Sequence, residues 1–120
     1  MSNYFKVLNT KTKTPTIDSK GYSLDIYSPD NFMIKKGAIA TINSGISLTI
    51  PEGHVALVVP TTKLSIQSGI HILASFIPCT YVDEILLNFT QHSSEIIHIE
   101  KDQHLAQIIF VKAFNFHATY

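Results

Sequence analysis

The chain has 120 residues, with nine Lys plus Arg against nine Asp plus Glu, and carries no formal net charge when His is neutral. That length gives one domain, and the balance excludes the cationic excess by which proteins release counterions from duplex nucleic acid or an anionic membrane. A single cysteine, Cys79, excludes an intramolecular disulfide and fits a reducing compartment.

Seventeen Ile, six Val and eleven Thr favour a pleated sheet over a helix. Residues 9–20, rich in Lys, Thr and Ser, are expected as a mobile N-terminal loop. Tyr22, Leu24 and Ile26 then alternate with Ser23, Asp25 and Tyr27, the period of a half-buried strand. Ser28-Pro29-Asp30-Asn31 and Lys35-Lys36-Gly37 are turn signals. Ile46, Leu48 and Ile50 alternate again, Pro51-Glu52-Gly53 turns the chain, and Val55, Leu57 and Val59 resume the pattern. Thr62 to Gln67 has room for one short helical turn. Apolar runs follow at Ile70–Ile77, Val82–Phe89, Ile96–Ile99 and Leu105–Phe114. No stretch sustains a 3.6-residue apolar stripe or approaches the roughly 20 residues of a membrane span. Met1 to Lys13 has no signal-peptide core, so a cytoplasmic protein, of a host cell, is expected. Many short strands at regular spacing predict an antiparallel sandwich or barrel, one domain over residues 1–120. Leu105 to Val111 is nearly continuously apolar, so both faces should be covered, the second by another subunit.

Five segments in order resemble the motifs of the trimeric dUTPase family. Tyr22-Ser23-Leu24-Asp25-Ile26 is similar to its Ala-Gly-Tyr-Asp-Leu motif, with Asp25 at the aspartate. Pro60-Thr61-Thr62-Lys63-Leu64 stands where the family has Pro-Arg-Ser-Gly-Leu. Ser75-Phe76-Ile77-Pro78-Cys79-Thr80-Tyr81 stands at Gly-Val-Ile-Asp-x-Asp-Tyr. Leu86-Leu87-Asn88-Phe89 is similar to the Leu-Phe-Asn strand, and His104-Leu105-Ala106-Gln107-Ile108-Ile109 to Arg-Ile-Ala-Gln-Leu-Ile. The resemblance implies a dUTPase-like jelly-roll β-barrel or sandwich and a homotrimer.

The departures shape the functional expectation. Pro78 replaces the aspartate that orients the attacking water in the family, and a proline cannot serve as a general base. Thr61, Thr62 and Lys63 replace the phosphate-holding Arg, Ser and Gly, His104 replaces an Arg, and the Gly-rich fifth motif is absent before Tyr120. The expected protein is therefore no enzyme. It is a degenerate member that sequesters a nucleotide or nucleotide-derived ligand at clefts between subunits, as a phage or viral anti-defence protein would. The alternative is an interaction protein that binds host signalling proteins, similar in length to the adenovirus early dUTPase-like protein. Its Ala118-Thr119-Tyr120 end fits only the weaker apolar class of PDZ ligand.

The ligand-binding candidates implied are Asp25, Thr61, Thr62, Lys63, Tyr81, His104 and Gln107, with no catalytic residue, cofactor or metal. Each has a plainer reading beside it. Asp25 on the polar face of a strand is more often solvated. Thr61 suits a helix N-cap, and Tyr81 suits core packing. The six histidines show no metal spacing, and Cys79 fits a small buried thiol. Glu84 sits one residue off the position of the glutamate used by dCTP deaminase, which places it on the opposite sheet face and argues against deamination.

Overall fold

In a computed structural model, which describes residues 4–64, 69–72, 76–114 and 116, the alternating runs become eleven strands and the all-β expectation holds. The strands are β1 (Phe5–Val7), β2 (Thr16–Ile17), β3 (Leu24–Tyr27), β4 (Phe32–Ile34), β5 (Ile39–Leu48) and β6 (His54–Pro60). They continue as β7 (Ile70–Ile72), β8 (Phe76–Pro78), β9 (Glu84–Gln91), β10 (Ile97–Ile99) and β11 (His104–Lys112). A four-stranded sheet runs β1-β5-β9-β7, a five-stranded sheet runs β2-β3-β11-β6-β8, and β10 pairs with β4. Every pairing is antiparallel. The inward faces pack as one core: Ile42, Ile46, Leu48, Ile85, Leu87 and Phe89 from one sheet meet Leu24, Ile26, Ala56, Val58, Leu105 and Ile108 from the other. Along β3 and the end of β5 the alternation that the sequence shows is that between this core and the outside, whereas along β6 Ala56 and Val58 take the core and Val55, Leu57 and Val59 face outward.

Two departures matter for the site. The apolar run Ile70–Ile77 is not one strand: β7 joins the four-stranded sheet and β8 the five-stranded one, so the chain crosses between sheets. In β11 the register shifts between His104 and Ala106. This bulge lets Leu105 and Ala106, adjacent in sequence, both point into the core at 0% exposure. His104 and Gln107, three residues apart, consequently share the outer face, which strict alternation forbids.

The stretch 9–20 carries β2, which pairs with β3, and Thr12 within it is buried. Ile109 and Val111 of β11 lie beside Leu57 and Val55 of β6 on the outer face, all half-buried, and Phe76 at the end of that face is 61% exposed. The expected second cover of β11 is therefore not supplied by the described residues. The tail Ala118-Thr119-Tyr120 and the later part of the turn expected from Thr62 to Gln67 lie outside the described residues.

Candidate functional site

Asp25 lies on β3 with Leu24 and Ile26 turned into the core on either side, which aims its carboxylate outward. Its register partner on β11 is Gln107. Its Oδ1 stands 3.4 Å from His104 Nε2 and accepts a 3.4 Å hydrogen bond from the Ser23 hydroxyl. The Asp25 and His104 side chains are 18% and 35% exposed, so the pair is sheltered without being sealed. His104 Nε2 is buried and makes no hydrogen bond with the described residues. Its ring lies tilted against that of Tyr27, the register partner of His104, at 5.5 Å. Carboxylate, imidazole and amide together can bind a polar ligand and move a proton.

The turn after β6 stands beside this cluster. Thr61 N–H donates to Leu105 O at 3.4 Å, immediately after His104. Thr61 is buried, and its hydroxyl oxygen accepts the Leu64 N–H at 3.3 Å, which is the capping role. Thr62 and Lys63 are exposed. Lys63 lines a groove of about 540 Å³ with His98, Glu100, Lys101 and Asp102.

Tyr81 is elsewhere. It belongs to the turn after β8, where its N–H donates to Pro78 O at 3.1 Å and its hydroxyl to Glu84 O at 2.8 Å. The half-buried ring lines a cavity of about 170 Å³ with Phe76, Ile77, Pro78, Ile85 and Leu86. Pro78 lies opposite Val55 on β6, whereas the Asp25–Gln107 row meets Val59. Four residues of strand separate the two rows by about 13 Å, and the three strand steps from β8 to β3 add about 14 Å across the sheet. The seven candidates thus divide between opposite corners of one sheet, with Tyr81 alone at the second. No single copy brings them together.

The second corner has its own chemistry. Glu84 Oε2 is engaged by the Gly45 N–H at 2.8 Å, while Asp83 in the turn is exposed and makes no hydrogen bond or ion pair with the described residues. Sequence reasoning passed over Asp83, although it lies two residues after Tyr81. It also passed over Tyr27, which shares the outward phase of Asp25. Among the described residues, no three His, Cys, Asp or Glu side chains gather as a metal-holding group.

A family model described as dUTPase matches residues 10–119. The deoxyuridine 5'-triphosphate nucleotidohydrolase of Yarrowia lipolytica is 27% identical over 112 residues, covering 91% of this chain and 70% of that protein. The protein of the same name from Finegoldia magna is 30% identical over 106 residues, covering 87% and 74%. The chain spans 66% of the length of a further relative of that name, from Candida glabrata. Among solved structures, the dUTPase of Staphylococcus bacteriophage 80alpha superposes with a TM-score of 0.87 at 18% identity, over 97% of this chain and 93% of that one. These relatives overturn the expectation of a non-enzymatic protein that sequesters a ligand or binds host signalling proteins: the names they carry are those of nucleotide hydrolases.

Proposed function

The chain belongs to the dUTPase family, and we propose that it is an enzyme hydrolysing dUTP to dUMP and pyrophosphate at sites shared between copies of itself. The observation that carries the shared site is the separation of the Asp25–His104–Gln107 cluster from the Tyr81 turn. A ligand held by both corners must lie across two subunits. The apolar outer face of Val55, Leu57, Val59, Ile109 and Val111 favours the association this requires, in a homotrimer.

The reaction needs a water held in line with the α-phosphorus and countercharge on the phosphate oxygens. Pro78 offers neither, so the water must be held by a neighbouring group. Asp83 is the carboxylate of that turn with no partner within the described chain, and we assign it to hold the attacking water and accept its proton. Tyr81 presents an aromatic wall whose hydroxyl is fixed to its own turn, a surface against which a sugar can pack. On the other copy, Gln107 and His104 donate to phosphate oxygens, and Asp25 orients the imidazole.

The test is turnover of dUTP, supplied as its magnesium complex, followed by pyrophosphate release. Wild-type protein should release pyrophosphate and dUMP. Asp83→Asn should abolish release while retaining nucleotide binding, since the amide keeps the shape and loses the base. Wild-type protein that folds and binds dUTP without releasing pyrophosphate overturns the reading, and an active Asp83→Asn variant overturns the assignment of the base.

A further inference from the structure

The loop between β1 and β2 brings one more cation to the Asp25 face. It is fastened at several points: Leu8 N–H donates to Gly45 O at 2.7 Å, and Asn9 accepts from Thr12 N–H and Lys11 N–H. Thr12 packs against Gly45, whose φ of +77° and missing Cβ permit that approach. The fastened loop delivers Lys13, whose Nζ stands 4.1 Å above the centroid of the Tyr27 ring. Tyr27 is itself fixed, its hydroxyl sharing a 2.6 Å hydrogen bond with Thr16 Oγ1 and its ring lying against His104. Lys13, Tyr27, His104 and Asp25 therefore form one continuous row, with Gln107 opposite Asp25.

The charges along this row are unbalanced for the ligand assigned to it. A nucleoside triphosphate brings three to four negative charges, and Asp25 adds another. Among the seven candidate residues, Lys63 is the one permanent cation, and its groove also holds Glu100 and an ion pair of Lys101 with Asp102. Lys13 supplies a second permanent cation at the row's end. The ring accepts one side of the ammonium and fixes its place, while the exposed remainder keeps N–H donors for another partner. A Lys resting on a surface ring for stability alone would make only a weak cation–π contact. Such a role involves no ligand.

We propose that Lys13, positioned by Tyr27, is a phosphate-binding residue of the site. The proposal rests on the reading of the site as one for a nucleoside triphosphate. Two probes separate the failure of either: calorimetric binding of inorganic tripolyphosphate, and steady-state dUTP kinetics. Lys13→Met should bind tripolyphosphate about tenfold more weakly, the scale of one charge-assisted hydrogen bond. It should raise KM for dUTP with kcat little changed, at an unaltered Tm. Lys13→Arg should restore affinity, because a guanidinium also stacks on the ring and donates to phosphate. Binding of tripolyphosphate by Lys13→Met within twofold of wild type overturns the proposal, as does a wild-type protein that binds no tripolyphosphate. If Lys13→Met weakens tripolyphosphate binding while wild type fails to turn over dUTP, Lys13 stands and the hydrolytic reading falls.

Discussion

Gln91 is 0% exposed and bonded at both ends of its amide, so replacing it by Leu tests how the core is closed. Its Nε2 donates to Ile34 O at 3.0 Å and to Glu95 O at 2.7 Å, tying the end of β9 to β4 and to the turn that follows. Its Oε1 accepts the Ser93 N–H at 3.0 Å and the Ser93 hydroxyl at 2.5 Å. The hydroxyl keeps a second acceptor, Glu95 O at 3.0 Å, so it is not stranded by the change. Two backbone groups lose their side-chain partner, Ile34 O and Ser93 N–H, while Glu95 O keeps the Ser93 hydroxyl. At about 1 kcal/mol each the loss is about 2 kcal/mol. Unfolding entropy of about 2.1 cal/mol/K per residue makes about 0.25 kcal/mol/K for this length, so Tm should fall by about 8 °C. The assay is thermal unfolding by circular dichroism at fixed protein concentration, because self-association would otherwise shift Tm. A fall of less than about 3 °C refutes the reasoning, since it means that Leu burial and a relaxed turn offset the stranded groups.

Three other substitutions probe the parts that position the site. Gly45→Ala places a Cβ against the Thr12 side chain at a φ of +77°, and should cost at least about 2 kcal/mol in chemical denaturation. Thr61→Val keeps the shape but removes the acceptor of the Leu64 N–H, for a loss of about 1 kcal/mol by the same measurement. Ile109→Glu puts a charge in the middle of the apolar outer face of β11 and β6, and should leave monomer where wild type gives the proposed homotrimer in native mass spectrometry.

The strand content was legible because apolar and polar residues alternate along β3, where Leu24 and Ile26 are buried and Asp25 and Tyr27 are not. Along β6 the alternation of Val55, Leu57 and Val59 marked a strand but not its buried face, since Ala56 and Val58 take the core. Two further features broke the rule. The bulge at His104–Ala106 shifts the phase of β11, so the shared face of His104 and Gln107 follows from hydrogen-bond register and not from spacing. The run Ile70–Ile77 is mainly apolar, yet its two ends belong to two sheets, because each sheet presents an inward face and composition does not say which one a strand joins. The outward placement of Asp25 was legible, because its phase on β3 shows in the sequence. The placement of Lys13 was not, since a polar loop gives no periodic signal and only the Thr12–Gly45 contact and the Tyr27 ring fix it. Loss of activity was inferred from Pro78, from Thr61, Thr62 and Lys63, from His104 and from the missing fifth motif together. The part of that inference resting on Pro78 treated one position as the only source of a carboxylate, although Asp83 lies five residues further along the same turn.

A site completed by two copies can be tested by complementation. Asp25→Asn and Tyr81→Ala each damage a different corner, and each homo-oligomer should turn over dUTP at background. Co-expressed in equal amounts, they should form mixed oligomers in which about one site in four joins an intact Asp25 corner to an intact Tyr81 corner. Pyrophosphate release should then recover to about a quarter of the wild-type rate. A mixture as inactive as its parents, beside an active wild type, contradicts a site shared between subunits.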